Sequence, residues 1–424
     1  MVTKAVLVPY PIDKAYDYAV PDGMNVGDGD YVVVPLGSRS VVGVVWGDGA
    51  QDVRPDKLKS ILQVYDVPPM DAAMRKFIAW GAQYTMTDLG SFLKLSLSVP
   101  SALEPPKMTK AFVAGGAASH GLSPKHKSVM DVAGDGAPRR AADLAREAGV
   151  SAGVIKTLHE KGFLKEVFVN DPAPCLNPRF QNAPASLLHA QKDAAEAICH
   201  AVKTGYEAIL LDGVTGSGKT EVYFEGVAEC LRQRKQVLIM LPEIALSNAF
   251  LTRFQERFGC APALWHSSLS DGQRKITWRG VASGDCKVVV GARSALFLPY
   301  KNIGLIIVDE EHDPAYKQEE GVIYNARDMA VVRAHMARIP VVMVSATPSL
   351  ETMQNVWAEK YKHLELADRF GAAGMPDVHV VDMTRDKPER NHFIAPSVVS
   401  AIQKTIEGQK GQALLFLNRR GYAP

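Results

Sequence analysis

The spacing of apolar residues divides the chain into stretches of different character. Over roughly the first 65 residues, apolar positions fall in short β-branched runs, Ala5–Val8, Tyr31–Val34 and Val41–Val45. Turn-forming clusters separate them: Pro21-Asp22-Gly23, Gly27 to Asp30 and Leu36-Gly37-Ser38. Close-set short strands with such punctuation predict a small barrel or curled sheet. The period then changes. Met74, Phe77, Ile78 and Gly81 follow i, i+3, i+4, i+7 and predict a helix over about Asp71–Tyr84.

A proline-rich break, Pro100 to Pro106, precedes a second region over about 106–170. Ala141–Ala148 and Val154–Leu158 read as short helices joined at Gly149-Val150-Ser151, with Ser151 as N-cap. Glu166–Val169 follows as a β-wing, an order that suits a winged helix-turn-helix; a plain helical spacer is the alternative. A Pro- and Asn-rich linker occupies 171–187. Beyond it, nearly continuous apolar runs alternate with helix-like stretches: Ala208–Leu211, Gln236–Leu241, Lys287–Val290, Leu305–Val308 and Val341–Val344. Strands of that kind are covered on both faces. The predicted fold class is α/β and multidomain, with a β-rich first domain (1–105), a winged helix (106–170), a doubly wound parallel sheet (188–366) and a further segment (367–424). In that last segment, Val378–Val381 and Ala413–Leu417 are expected as strands and Val398–Ile406 as a helix.

Composition narrows the setting. Of 424 residues, 47% are hydrophobic and 22% charged, a globular balance that excludes extended disorder. Apolar runs stay shorter than the ~18 residues of a membrane span. The five scattered cysteines suit a reducing cytosol better than a disulfide framework. Net charge is +2, so bulk electrostatics do not name a nucleic-acid partner. Residues 1–66 carry nine acids against six bases, whereas Lys107–Glu166 carries ten bases against six acids.

Chemistry enters at Gly213-Val214-Thr215-Gly216-Ser217-Gly218-Lys219-Thr220, which fits G-x4-G-K-[ST] between a buried strand and an amphipathic helix. Backbone amides of Gly213, Thr215, Gly216, Ser217 and Gly218 suit a phosphate cradle at a helix N-terminus. Lys219 would reach the β- and γ-phosphates of ATP, and Thr220 would ligate Mg2+. Ile306-Ile307-Val308-Asp309-Glu310-Glu311-His312 puts acids at the carboxyl end of a buried strand, the ligand edge of a parallel sheet. Asp309 would hold Mg2+, and Glu310 would orient and deprotonate the attacking water. The catalytic candidates are therefore Lys219, Asp309 and Glu310. Gln191 can donate and accept at once, matching the N6/N7 edge of adenine; an ordinary exposed Gln is the plain alternative. Between His312 and Arg327, Tyr316, Lys317, Tyr324 and Arg327 interleave cations with aromatics, which suits single-strand contact. The plain alternative is a polar surface loop anchored by its two tyrosines.

Asp309-Glu310-Glu311-His312 with Ser345-Ala346-Thr347 resembles the motif series of superfamily 2 helicases. The resemblance implies that His312, Ser345 and Thr347 couple the nucleotide site to the nucleic-acid path. It further implies that Leu241-Pro242-Glu243-Ile244 and Gly291-Ala292-Arg293-Ser294 contact the strand backbone. Gly213 to Tyr223, Pro242-Glu243-Ile244, Arg293 to Phe297, Asp309 to Gln318, Ser345 to Thr352 and Phe416 to Pro424 recur together. As an ordered set they resemble the primosomal replication-restart helicases of the PriA family. The segment Pro11–Pro21 resembles that family's 3′-end-binding domain. There Tyr16 and Asp17 match the terminal-nucleotide motif directly, and Gly37 and Lys59 match more loosely. A half-buried strand aromatic is the plain alternative for Tyr16.

The family likeness implies an ATP- and Mg2+-dependent 3′-to-5′ DNA helicase. It implies forked, single-stranded and 3′-ended DNA as partners, with single-strand DNA-binding protein and other primosome proteins, a cytoplasmic setting and no membrane. Leu188-His189-Ala190 and the middle residue of Gly291-Ala292-Arg293 depart from the family pattern. The largest departure follows Asn418-Arg419-Arg420-Gly421, where the family continues into Zn2+-binding cysteines absent from this sequence. The expectation is an amino-terminal portion that binds ATP and DNA without unwinding alone. A non-catalytic fork-binding module and another superfamily 2 DNA translocase remain the alternatives.

Overall fold

The computed structural model describes residues 2–50, 57–105, 108–116, 122–169, 175–182, 185–242, 248–369, 377–390, 392–408 and 410–416. The chain divides into one unit over Met1–Phe370 and another over Gly371–Pro424.

The first unit begins with β1 (Thr3–Leu7), β2 (Tyr16–Ala19), β3 (Tyr31–Leu36), β4 (Arg39–Asp48) and β5 (Gln63–Val64). They form an antiparallel sheet in the order β2-β1-β4-β3-β5. Strand alternation sends Val6, Tyr18, Val32, Val34 and Val45 into one small core. Leu7, Tyr31 and Val44 enter a much larger core on the other side. The sheet is therefore covered on both faces, although its sequence is only partly apolar. Helix α1 (Ala72–Tyr84) starts where Asp71 accepts from the Met74 amide at 2.6 Å, and it buries Met74, Phe77, Ile78 and Gly81, the apolar face read from the sequence. Helix α2 (Leu89–Ser96) was not anticipated. Gly90 weakens its sequence signal, yet a Cβ there would lie 2.1 Å from the Tyr10 carbonyl oxygen.

The second region contains β6 (Thr109–Ala114), α3 (Pro124–Ala133), β7 (Arg139–Arg140), α4 (Ala141–Glu147), α5 (Ala152–Glu160) and β8 (Leu164–Val169). The strands pair antiparallel in the order β7-β6-β8 over a core of Val129, Leu144, Ile155, Leu158 and Leu164. Ser151 occupies the N-cap of α5, but its side chain makes no capping bond. The two expected helices and the wing are present, and β6, α3 and β7 complete them.

The third region runs α6 (His189–Thr204), β9 (Ala208–Gly213), α7 (Lys219–Arg232), β10 (Gln236–Met240), α8 (Asn248–Phe258), β11 (Ala263–Trp265), α9 (Asp271–Ser283), β12 (Val288–Gly291), β13 (Ile303–Asp309), β14 (Lys317–Gln318), β15 (Tyr324–Asn325), α10 (Ala326–Ala337), β16 (Val341–Ser345), α11 (Leu350–Trp357) and β17 (Lys362–Leu366). Seven of these strands make a parallel sheet in the order β11-β12-β10-β13-β16-β9-β17. Ile209 and Leu211 point to one layer and Leu210 to the other, so α6, α7 and α8 cover one face while α9 and α10 cover the opposite face.

The amino-terminal sheet and helices share the core on that opposite face. Tyr31 meets Trp278 edge-on at 5.9 Å, and Phe77 and Phe92 each lie 5.8 Å from Phe297. Arg279 donates to the Ala102 and Leu103 carbonyls at 2.7 and 3.4 Å, and also to that of Glu104. The proline-rich break is thus docked on α9. The 175–182 stretch is irregular as read but pinned: Arg179 N donates to Phe258 O at 2.8 Å.

In the second unit, α12 (Pro396–Gln403) runs into a π-helical turn, Lys404–Gly408. This matches the expected helix, begun two residues early by Pro396 at its first turn. The expected strands are absent at 378–381 and 413–416, and Leu417 lies outside the described residues. Val378, Val380, Leu414 and Phe416 are instead 79%, 92%, 94% and 84% exposed, and an apolar run without a partner strand forms no sheet.

Candidate nucleotide and DNA sites

The phosphate loop leaves β9 at Gly213 and enters α7 at Lys219. Gly216 and Gly218 take φ of 83° and 81°, the left-handed region that glycine tolerates. A Cβ at Gly218 would also lie 2.6 Å from the Gln191 amide nitrogen. That amide holds the loop: Gln191 Nε2 donates to Ser217 O at 2.7 Å, while Oε1 accepts from Leu188 N at 2.8 Å. Gln191 is 4% exposed and spends one donor and one acceptor on protein, so as placed it braces the loop. Lys219 Nζ donates to Gly213 O at 2.6 Å and Val214 O at 3.3 Å. Burial lowers its pKa against the pull of Glu310, Asp309 and Asp212.

A cleft of about 350 Å³ joins this loop to the end of β13, lined by Thr215, Gly216, Gly218, Lys219, Thr220, Arg253, Asp309, Glu310, His312, Ala346 and Thr347. Burial pushes the Asp309 carboxyl up to about 6, against the hydrogen bond donated by Tyr223. Asp309 Oδ2 accepts from Tyr223 Oη at 2.9 Å, and Oδ1 from Glu310 N at 3.0 Å. Glu310 sits at φ 50°, a left-handed position that costs a non-glycine residue conformational energy. Thr220 and Asp309 offer oxygens, the donors a hard divalent cation requires, beside two carboxylates that a cation would relieve. The residues fit Mg2+.

The three coupling candidates are contiguous. His312 Nδ1 lies 2.8 Å from Ser345 Oγ, which accepts from Thr347 N at 3.0 Å. His312 Nδ1 is also 3.7 Å from Glu310 Oε2. Tyr223, Arg253 and Glu311 were not singled out in the sequence. Tyr223 enters there only as the end of the Gly213 to Tyr223 string, and Arg253 comes into reach only through the fold, with its Nε 3.6 Å from Glu221 Oε1. Glu311 is 1% exposed and collects Ser349 N (2.7 Å), Ser349 Oγ (3.0 Å), Thr352 Oγ1 (2.9 Å) and Arg327 Nη1 (3.3 Å).

The aromatic–basic stretch corrects the sequence reading. Tyr316, Tyr324 and Arg327 are 1%, 4% and 7% exposed, so none can stack on or clasp a strand as placed. Tyr316 Oη lies 2.6 Å from Asp309 O and 3.0 Å from Met240 O. Tyr324 packs edge-on against Phe297 at 5.2 Å, inside the core shared with α1 and α2. Arg327 serves Glu311, Ser349 and Asp328. These side chains satisfy interior partners contributed by distant elements, so the anchored-loop alternative describes the tyrosines better. Lys317 is exposed. Arg293 donates to Ala315 O and Lys317 O at 3.1 and 2.8 Å, and both residues line an open groove of about 400 Å³ with Gln318, Glu319 and Glu320. Glu243, Ile244 and residues 417–424 lie outside the described residues.

In the first domain, Lys59 Nζ donates to Gly37 O at 3.1 Å, joining the two loosely matched positions. Gly37 makes its turn at φ 61°. Tyr16 and Asp17 lie partly buried on β2, which bonds the Lys59 segment through Ala19 N to Lys59 O at 2.9 Å. Lys14 Nζ stands 5.9 Å from the Tyr16 ring centroid.

The parallel sheet, phosphate loop and acid-bearing strand end define a helicase-type nucleotide-binding lobe, here packed on a β-rich domain. Residues 189–356 match the DEAD/DEAH box helicase family, and residues 5–98 match the 3′ DNA-binding domain of PriA. The chain is 36% identical over 412 residues to the replication restart protein PriA of Rickettsia felis, covering 96% of this chain and 52% of the relative. Against PriA of Haemophilus influenzae it is 35% identical over 436 residues, covering 99% and 59%. The chain belongs to the PriA family of replication restart proteins, and it spans somewhat more than half the length of these two relatives. Among solved structures it is similar to RecG bound to a three-way DNA junction, at 21% identity, TM-score 0.35, 51% coverage of this chain and 28% of that one. Among the described residues, no helix is long and apolar enough to cross a membrane.

Proposed function

We propose that the protein acts in an ATP-dependent 3′-to-5′ DNA helicase that recognises stalled or branched forks and starts primosome assembly in the cytoplasm. The observation that carries this reading is the meeting of the phosphate loop, Asp309, Glu310 and the His312–Ser345–Thr347 chain in one cleft. Lys219 exchanges its loop carbonyls for the β- and γ-phosphates, a switch from neutral to anionic acceptors that strengthens its hydrogen bonds. Thr220 and Asp309 hold Mg2+, which supplies charge neutralisation at the phosphates when bound. Glu310 orients a water and takes its proton. Ser345 lies one hydrogen bond from His312 and Thr347 two, so strand contact beyond them is felt beside Glu310. Arg293 and Lys317 bind the strand backbone without reading sequence. Tyr16, Asp17, Gly37 and Lys59 receive the 3′ terminus. Single-strand DNA-binding protein and primosome proteins are partners of the whole protein, and Zn2+ is a cofactor of the family outside these 424 residues.

A polypeptide of residues 1–424 is expected to bind ATP and forks without unwinding. Fluorescent-nucleotide titration and a strand-separation assay test this, and robust unwinding overturns the second half. Fork recognition is separable: Asp17→Ala should weaken binding to forks with a free 3′ end while Lys219→Ala leaves it unchanged. Equal affinity for free and blocked 3′ ends overturns the end-binding role.

A further inference from the structure

Tyr223 lies one turn beyond Thr220 on α7 and is completely buried. Its ring packs in the core between α7 and the parallel sheet, 5.3 Å and edge-on from Phe224. A phenylalanine would fill the same space. The hydroxyl therefore needs its own reason, because a buried hydroxyl costs free energy unless it is hydrogen-bonded. It donates to Asp309 Oδ2 at 2.9 Å, and the Thr220 side chain interacts with the phenol oxygen itself. The second Asp309 oxygen accepts from Glu310 N at 3.0 Å. Both ends of the carboxylate are thus tied, and one phenol oxygen touches both side chains that fit the metal.

We propose that Tyr223 is a positioning residue that presets Thr220 and Asp309 for Mg2+ before nucleotide arrives. The inference rests on the ATP-binding reading above. With the phenol in place, the Asp309 plane is set from α7, the helix that also carries Lys219 and Thr220. Phosphate and metal sites then share one rigid element, and cation binding loses less side-chain freedom.

The test titrates the chain with mant-ADP, with and without Mg2+, in wild type, Tyr223→Phe, Tyr223→Leu, Lys219→Ala and Asp309→Asn. Tyr223→Phe should keep Mg2+-free affinity within about twofold while raising the Mg2+ concentration at half-maximal effect about three- to tenfold, the range for the net contribution of one ordinary hydrogen bond. On the Asp309→Asn background the same substitution should change nothing further. Wild-type Mg2+ dependence in Tyr223→Phe, with Tyr223→Leu alone weakening affinity in both conditions, would show a packing role and overturn the inference. Lys219→Ala losing affinity in that same experiment would leave the ATP-binding reading standing. No mant-ADP binding by wild type overturns both.

Discussion

The loop after β13 faces two ways, and its halves obey different physics. Asp309, Glu310 and His312 turn polar groups toward the nucleotide cleft. Residues 316–327 carry equally polar and aromatic chemistry, yet Tyr316, Tyr324 and Arg327 turn inward and spend it on protein partners. Polar side chains thus line an open cleft in one half and tie the loop into the interior in the other. What separates them is the surface each meets: an open cleft, or interior partners, namely backbone oxygens for Tyr316, Glu311 and Ser349 for Arg327, and for Tyr324 the ring of Phe297, which also packs on Phe77 and Phe92.

That contrast can be broken by substitution. The largest effect is expected from Arg327→Ala or Glu311→Ala, each of which strands a buried charge. Either should cost about 3–5 kcal/mol, read as a lower urea midpoint. An unchanged midpoint with lost DNA affinity would return Arg327 to the DNA surface. Lys219→Ala should reduce ATP affinity on the order of 100-fold in a fluorescent-nucleotide titration, with little change in the midpoint.

Asp309→Asn sharpens the nucleotide half. Because burial raises the Asp309 carboxyl to about 6, the folded chain holds that proton more tightly than the unfolded chain. Asp309 therefore subtracts stability above about pH 6, and the loss is recovered as pH falls toward the ordinary aspartate value. In metal-free buffer, Asn should stabilise by about 1–2 kcal/mol at pH 8 and by nothing near pH 4. A gain that is constant with pH would reject that origin. The smallest effect belongs to Lys317→Ala. Stability should stay within about 0.5 kcal/mol, while the salt slope of single-strand binding falls by about 0.7.

The nucleotide half was legible because its chemistry is local. Gly213 to Thr220 and Asp309 to His312 place every group within a few residues of a strand end. The central strands β9, β10, β12, β13 and β16 were legible because burial on both faces leaves continuous apolar runs. The edge strands β11 and β17 escaped: one has three residues, and Lys362-His363-Leu364-Glu365-Leu366 alternates polar with apolar. Tyr324 was misread because its partner Phe297 belongs to a cluster with Phe77 and Phe92, more than 200 positions earlier, and no periodicity spans that gap. Gln191 was singled out for its amide, but the loop oxygen that occupies it became visible only in three dimensions.

Glu310 holds a backbone angle that glycine or asparagine would adopt at lower cost. Random mutagenesis scored only for heat resistance should therefore enrich Glu310→Gly, and by the reasoning for its neighbour also Asp309→Asn. Such a library would drift toward sturdier chains without the two acids proposed to hold Mg2+ and prepare the water. Under the roles proposed for Asp309 and Glu310, durability and turnover draw on the same two residues in opposite directions, so any search for a hardier version has to hold 309 and 310 constant and look elsewhere.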